Sequence, residues 1–437
     1  MATVIAACTI PLDVDLSTSP VHEHIKRQDT TAVPLPVSKG NRYEGAKEVP
    51  RGLGSQPNGT VISSAMNIEE MQSALEALVT EFGIRTFEAP EKTWENRTVF
   101  GAVVSSGDSD KIRALFTGGM HARERAIPDS LIYFIADLLW ADREGTGLQY
   151  GGVVFTAQEV KRALDAGIII MPALNPDGIA YDQATNECWR NNRNPDGSVN
   201  LNRNFDWLWD FEKGFAPGTG AAESEPGGIN YHGTAPFSEP ESRNIRWVFD
   251  TYPDLGWTID VHSYATLVLY GWADDILQTT DPSMNFMNPA YDGKRGNLID
   301  NDNATRYRSY MPASIFKTQS FVASQLANTM NAAVDFVEAS MVSEPTGNYG
   351  WVSGCMMNYA MARHWIDAEK TPVNSFTVEL ASVSEERIKS CPFYLSEMNF
   401  NLYIKAGGAA YMQFLLAAAD ENFVAERVGD EVRQFKK

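Results

Sequence analysis

The chain has 437 residues, of which 43% are hydrophobic, and a formal net charge of −20 at pH 7. This is enough material for one α/β domain of roughly 300 residues with extensions. The negative charge argues against nucleic acid and anionic membranes as partners, because both repel an acidic surface. No apolar run approaches the roughly 20 residues of a membrane span, so the sequence predicts no membrane-spanning helix.

The first 60 residues are poor in helical or strand periodicity and rich in Pro, Ser, Thr and Gly. They predict a leader, 1–63, that is disordered or removed by processing, followed by a folded domain over 64–437. A mildly apolar start to the chain only suggests targeting. Three Asn-x-Thr triplets, which are acceptors for N-linked glycans, are compatible with a secreted protein; they begin at Asn58, Asn96 and Asn303.

Regular periodicity begins at Asn67, a suitable N-cap for a helix whose apolar residues recur every three or four positions. Beyond it, short apolar runs that predict buried strands alternate with stretches that predict helices. The predicted strands are 98–104, 112–116, 168–171, 257–261 and 376–380. The predicted helices are 130–140, 158–166, 241–252, 321–339 and 398–418.

This alternation favours an α/β fold with a single mixed, mostly parallel sheet that is covered by helices on both faces. In such sheets, binding sites gather beyond the carboxyl ends of the strands. The polar clusters of this chain follow its predicted strands, so we expect them to form a site there.

Two strand ends carry potential metal ligands. After strand 112–116, His121 and Glu124 are three residues apart, a spacing that lets an imidazole and a carboxylate converge on one cation. Zinc accepts this pair of ligand types. His-x-x-Glu is also common in surface turns, and a catalytic zinc needs a third protein ligand. His262, which ends strand 257–261, is the candidate; alone, it would more often be a satisfied core histidine.

A patch of arginines and amides lies in the middle of the chain. Arg190, Arg193 and Arg203 occur within a short stretch of a strongly acidic protein. Guanidinium groups bind carboxylates bidentately and stay charged at any working pH. The patch therefore predicts an anion site, with loop salt bridges as the alternative.

Glu379 stands at the end of the predicted strand 376–380. Burying a carboxylate there is costly unless it has a counter-charge or a chemical task. Near a zinc-bound water, it would serve as general base and then as general acid.

Together these clusters resemble, in order and approximate spacing, the zinc metallocarboxypeptidases of the carboxypeptidase A type. The resemblance extends from about residue 64 to about residue 420. Each motif is common alone, but the ordered set is specific. The segments that carry it are His121-Ala-Arg-Glu124, Trp189-Arg190-Asn-Asn-Arg193, Asn202-Arg203, Phe237-Ser-Glu-Pro-Glu241, His262-Ser-Tyr264 and Phe376-Thr-Val-Glu379-Leu380.

The resemblance implies one zinc ion per chain, held by His121, Glu124 and His262, with a water in the open position. It also implies that Glu379 deprotonates that water for attack on the C-terminal peptide bond, and that Arg193 stabilises the oxyanion.

The resemblance further implies six substrate-binding residues. Two would clamp the free terminal carboxylate, two would line the outer subsites, one would be a mobile tyrosine that closes over the substrate, and one would lie in the pocket for the last side chain. The clamp residues are Asn202 and Arg203, and the outer subsites are lined by Arg123 and Arg190. The mobile tyrosine is Tyr349, and the pocket residue is Met357.

The expected activity is hydrolysis of the last peptide bond of peptides or proteins by a secreted monomer. Family members that prefer basic C-terminal residues carry an acidic residue in the specificity pocket, and the stretch 354–359 has none. Met356 and Met357 instead predict a preference for aromatic or aliphatic residues. The alternatives are a zinc-dependent amide hydrolase or deacylase acting on N-acyl amino acids, and a non-catalytic binding homologue.

Several features depart from the family pattern or stay open. Asn200 stands where related sequences carry an Asp that orients the first zinc histidine, and losing such a partner can cost about 10- to 100-fold in metal affinity or activity. A polar insertion at about 274–312 would narrow access to the site. Four cysteines allow three full pairings, including a bridge between Cys355 and Cys391.

Overall fold

The computed structural model describes residues 33–58, 60–105, 111–297, 306–334, 339–343, 350–381 and 391–435. Tyr349 and Asn303 lie outside these residues, as does Cys8. Within the described ranges, no helix has the length and apolar character needed to cross a membrane.

The main sheet has eight strands among the described residues. They are β1 (Arg85–Lys92), β2 (Thr98–Val104), β3 (Ala114–Gly118), β6 (Ile168–Met171), β7 (Trp257–Ser263), β8 (Leu267–Tyr270), β11 (Ser340–Ser343) and β12 (Asn374–Leu380). Two small sheets pair β4 (Leu148–Tyr150) with β5 (Val153–Phe155), and β9 (Leu277–Gln278) with β10 (Ser309–Tyr310).

The helices are distributed along the whole described chain. They are α1 (Ile68–Phe82), α2 (Ala126–Glu144), α3 (Ala157–Asp165), α4 (Pro176–Thr185), α5 (Phe211–Gly214), α6 (Pro240–Thr251), α7 (Ala313–Ala333), α8 (Met356–Ile366), α9 (Glu397–Ala418) and α10 (Asp430–Arg433).

The main sheet is mixed, as predicted, but only four of its seven described strand pairings are parallel. In the order β1-β2-β6-β3-β7-β12-β8-β11, the pairs β6–β3, β3–β7, β7–β12 and β8–β11 are parallel, and β1–β2, β2–β6 and β12–β8 are antiparallel. Short connections explain the difference. Only residues 264–266 separate β7 from β8, and a parallel crossover needs about a dozen residues or more.

Both faces of the sheet are buried, which confirms the predicted helical cover. In β3, Phe116 belongs to a core with helices α1, α2, α3, α7 and α9, whereas Leu115 belongs to a second core with α6, α8 and α10. Successive residues of a strand point to opposite faces, so the continuous apolar runs of the central strands fill both cores.

Most predicted elements are present, with shifted ends. Asn67 caps α1, and its side chain accepts a hydrogen bond from the Glu70 N–H. Strands β2 and β6 have the predicted bounds, whereas α7 spans Ala313–Ala333 instead of 321–339. The pattern missed β1, an edge strand with exposed residues, and α8, which is buried on nearly all sides and so has no apolar stripe.

The segment before the predicted domain boundary is ordered where it is described. Leu35, Tyr43 and Leu53 are buried in the core with the helices of one face. This differs from the expectation of a disordered leader, while processing and the boundary at residue 63 stay predictions.

One disulfide joins Cys188 to Cys391. The suggested bridge between Cys355 and Cys391 is therefore wrong. The sulfur of Cys355 instead accepts a hydrogen bond from the side-chain amide of Asn358, at 2.8 Å.

Candidate metal centre and active site

The candidate ligands lie at the carboxyl ends of two neighbouring strands. Because Gly118 of β3 pairs with Val261 of β7, the turn that follows β3 reaches His262 directly. Gly119 makes this turn possible: its φ is +65°, and a Cβ there would lie 2.9 Å from the carbonyl oxygen of Pro172. The chain can therefore place His121 and Glu124 against the end of β7.

The ligand atoms converge as the sequence predicts. The Nδ1 atom of His121 lies 2.9 Å from Oε1 of Glu124, and the Nδ1 atom of His262 lies 3.0 Å from Oε2 of the same carboxylate. The two Nδ1 atoms are 3.0 Å apart. All three ligand atoms lie within 4.8 Å of one another, and all three residues are buried. Two imidazole nitrogens and one carboxylate fit a zinc ion with an open fourth position.

The other nitrogen of each histidine has its own acceptor, which leaves Nδ1 available for the metal. Nε2 of His121 lies 3.2 Å from Oδ1 of Asn200, and Nε2 of His262 lies 2.8 Å from Oδ2 of Asp260. Burial and the positive charge of Arg190 hold the pKa of His121 well below its usual value, which favours the neutral ring. At His262 burial acts in the same direction, but the carboxylates of Asp260 and Glu124 outweigh it and raise the pKa well above its usual value. A neutral imidazole is the form that binds a metal.

Glu379 of β12 stands beside this cluster. It pairs in register with His262 of β7, so the two side chains emerge on the same face of the sheet. Its carboxylate is buried, and among the described residues neither oxygen has a hydrogen-bond partner. Burial raises the pKa of the Glu379 carboxyl to about 8, with the negative charges of Glu124 and Asp260 acting in the same direction.

The two arginines of the Trp-Arg-x-x-Arg segment occupy different surroundings. Arg190 is buried, and its Nη1 lies 3.8 Å from Oε1 of Glu124. Arg193 is partly exposed; its Nε lies 3.3 Å from Glu95, and its guanidinium stacks over the ring of Tyr181 at 3.8 Å. The structure thus places Arg190, rather than the predicted Arg193, next to a metal ligand.

The predicted carboxylate clamp lies close to the ligand cluster. The Arg203 side chain is fully buried, and its Nη1 donates to the carbonyl of Asn202 at 2.8 Å. Its Nε and Nη2 have no hydrogen-bond partner within the described part of the chain. The Asn202 side chain accepts from the N–H of Met356 at 2.9 Å, and its nitrogen lies 3.4 Å from Nε2 of His262.

Two predicted substrate-binding residues lie in apolar or aromatic surroundings. Met357 is buried and packs with Leu269 of β8, and neighbouring alanine and leucine side chains complete this apolar cluster. Arg123 is also buried, and its guanidinium lies 3.8 Å from the ring centre of Phe393. Burial and the charge of Arg190 lower the pKa of Arg123 to about 9.

Sequence reasoning missed two residues of this site. Asp260 is two positions before His262 on the same strand face, so strand alternation was a signal that was available. Phe393 follows a stretch of sequence without periodicity, and no motif in the neighbouring sequence identifies it as a site residue.

Known proteins match this chain over limited parts of their length. Carboxypeptidase B of Astacus astacus is 28% identical over 218 residues, covering 48% of this chain and 65% of that protein. The inactive metallocarboxypeptidase ecm14 of Talaromyces stipitatus is 28% identical over 169 residues, covering 36% of this chain and 25% of that protein. The chain therefore spans less than two thirds of either relative.

The fold also matches a solved structure. The crystal structure of thrombin activatable fibrinolysis inhibitor has a TM-score of 0.60 to this chain at 18% identity, and the match covers 82% of this chain and 75% of that chain. At this identity the match bears on the fold alone. The family model described as zinc carboxypeptidase matches residues 71–401, most of the chain and all three candidate ligands. The chain therefore belongs to the zinc carboxypeptidase family.

Proposed function

We propose that this chain is a zinc-dependent exopeptidase that removes the C-terminal residue of peptides and proteins. The observation that carries the proposal is the Glu379 carboxylate, which is buried without a hydrogen-bond partner among the described residues and lies beside His121, Glu124 and His262. A buried carboxylate in this state is costly unless it has a chemical task.

The side chains around the triad have the chemistry that peptide hydrolysis requires. Zinc held by the triad would polarise the scissile carbonyl and lower the pKa of a water. Glu379 accepts a proton from the attacking water and later gives it to the leaving amine nitrogen. Arg190, which lies at the ligand cluster, offsets the negative charge that develops on the carbonyl oxygen.

The clamp makes the proposed enzyme specific for chain ends. The buried Arg203 side chain has two nitrogens, Nε and Nη2, without a hydrogen-bond partner among the described residues. A substrate carboxylate would accept hydrogen bonds from both. Asn202 stands between this guanidinium and His262, close to the ligand cluster. Binding of the terminal carboxylate would therefore position the last peptide bond of the substrate next to Glu379.

The proposed preference is for aromatic or aliphatic C-terminal residues. Met357 and Leu269 form a buried apolar cluster next to the N-terminus of α8. An apolar, adaptable surface accepts such side chains, whereas a lysine would have to bury its charge there. The proposal includes secretion, which is supported by the disulfide between Cys188 and Cys391, because disulfides persist in oxidising compartments.

The direct test is hydrolysis of blocked dipeptides that end in Phe or Lys, measured with and without a chelator, with zinc determined on the same sample. We expect about one zinc per chain, activity that the chelator abolishes, and faster cleavage of the Phe substrate. Faster cleavage of the Lys substrate would refute the proposed preference. Turnover of N-acyl amino acids but not of longer peptides would identify a deacylase, and bound zinc without any hydrolysis would identify a binding homologue.

The roles of the two arginines can be separated by matched substitutions. We expect Arg190→Gln to lower kcat by about 10²- to 10³-fold, the usual loss when a donor to an oxyanion is removed. Arg193→Gln should change kcat by less than about tenfold, because Arg193 is partly exposed and pairs with Glu95 rather than with a metal ligand. Steady-state kinetics at equal zinc content would check this. The reverse pattern would return the oxyanion role to Arg193.

A further inference from the structure

We propose that Asp260 is a positioning residue for the metal site: it orients the His262 ring and strengthens it as a ligand, so that the two histidines are unequal. The proposal rests on the zinc site of the proposed function but not on the hydrolytic activity.

The carboxylate of Asp260 is held on both sides. Its Oδ2 lies 2.8 Å from Nε2 of His262, and its Oδ1 accepts a hydrogen bond from the hydroxyl of Thr117 at 2.7 Å. Thr117 of β3 pairs in register with Asp260 of β7, so two neighbouring strands fix this arrangement. Asp260 is buried, and His262 is its ion-pair partner among the described residues.

The acceptor at the other histidine is weaker. His121 faces the side-chain oxygen of Asn200 at 3.2 Å, and that oxygen also accepts from the backbone N–H of Asn202 at 3.1 Å. An ionised carboxylate binds an imidazole N–H more strongly than a shared amide oxygen does. It also makes the opposite ring nitrogen more basic. The stronger nitrogen ligand should therefore be His262.

Burial supports this assignment. A carboxylate removed from water requires a positive partner, and the described contacts of Asp260 offer it His262 and a neutral hydroxyl. When His262 binds zinc, its ring gains positive character, and the carboxylate is compensated.

The test is zinc affinity, measured by competition with a chromophoric chelator on the purified full chain. Asp260→Asn keeps the size of the side chain and should weaken zinc binding about 10- to 100-fold. Asn200→Asp, introduced into the Asp260→Asn background, should recover part of that loss by moving the carboxylate to His121. The far-ultraviolet circular dichroism of the metal-free proteins should remain the same, which would separate positioning from misfolding.

A zinc dissociation constant within about twofold of wild type in folded Asp260→Asn would overturn the proposal. If that variant does not fold, Thr117→Val gives a second reading, because it removes only the hydroxyl that holds Oδ1. A loss of zinc affinity in Thr117→Val that is smaller than the loss expected for Asp260→Asn supports the proposal, and an unchanged affinity overturns it. A wild-type chain that binds zinc but has no peptidase activity would refute the proposed function. It would leave this inference intact if Asp260→Asn still weakened zinc binding.

Discussion

Replacing Glu379 with Gln should lower kcat by about 10²- to 10⁴-fold, the contribution expected of a general base that then acts as an acid. The amide has nearly the same volume, but it can neither take a proton from water nor return one to the leaving amine. Glu379 is not one of the three candidate ligands, so zinc content should stay at that of wild type. Steady-state kinetics and metal analysis on the same preparations would measure both quantities.

The matched control is Glu241→Gln. Glu241 is also a buried glutamate whose pKa is raised to about 8, but its side chain contacts Asn192 rather than a ligand. It should keep kcat within about tenfold of wild type. A Glu379→Gln enzyme with wild-type kcat would refute the role of Glu379.

Glu379→Gln should also change how the stability of the metal-free protein depends on pH. The pKa of about 8 in the folded state lies above the ordinary value of 4.5 that the carboxyl has in the unfolded chain, so folding takes up a proton between these pH values. The wild-type carboxyl therefore increasingly destabilises the fold as pH rises from 4.5 to 8. Gln does not titrate, so the variant should gain stability relative to wild type across this range. Urea unfolding at pH 5 and pH 7.5 would reveal the growing difference.

Replacing Arg203 with Gln should lower kcat/KM for substrates with a free C-terminus by about 10²- to 10³-fold, because the buried substrate carboxylate would lose its charged partner. The Arg203 side chain is fully buried with two N–H-bearing nitrogens unpartnered in the described structure. Kinetics with a peptide acid and the matching peptide amide would test this. The wild type should strongly prefer the acid, and the variant should lose most of that preference.

Arg193→Gln serves as the control, since it removes a guanidinium of the same type that is partly exposed and paired with Glu95. It should keep the preference for the peptide acid. An Arg203→Gln variant that still discriminates acid from amide as the wild type does would show that the carboxylate is bound elsewhere.

The ligand triad could be predicted from the sequence because it depends on short-range rules. His121 and Glu124 lie in one turn, closed by a hydrogen bond from the Glu124 N–H to the His121 carbonyl. His262 ends an apolar strand, and parallel strands bring their carboxyl ends together. The structure brings these three residues together as predicted. Zinc is the metal of the family to which the chain belongs.

The surroundings of the triad depend on long-range packing that spacing alone does not reveal. Arg190 and Arg193 are the same residue type, three positions apart, but the second one pairs with Glu95, a glutamate almost a hundred residues earlier. The disulfide joins cysteines 203 positions apart, and four cysteines allow several pairings. The antiparallel turn from β7 into β8 depends on a short connection inside an apolar stretch, where periodicity gives no signal.

The ordered segment before residue 63 also completes a polar site inside the domain. The carboxylate of Asp137 in α2 is fully buried, and it accepts hydrogen bonds from the backbone N–H groups of Gly54 and Ser55 at 2.8 and 2.9 Å. The hydroxyls of Ser55 and Tyr150 complete the set. A mature chain that began at residue 64 would leave this carboxylate with Tyr150 alone, so the smallest stable unit is expected to begin before Gly54.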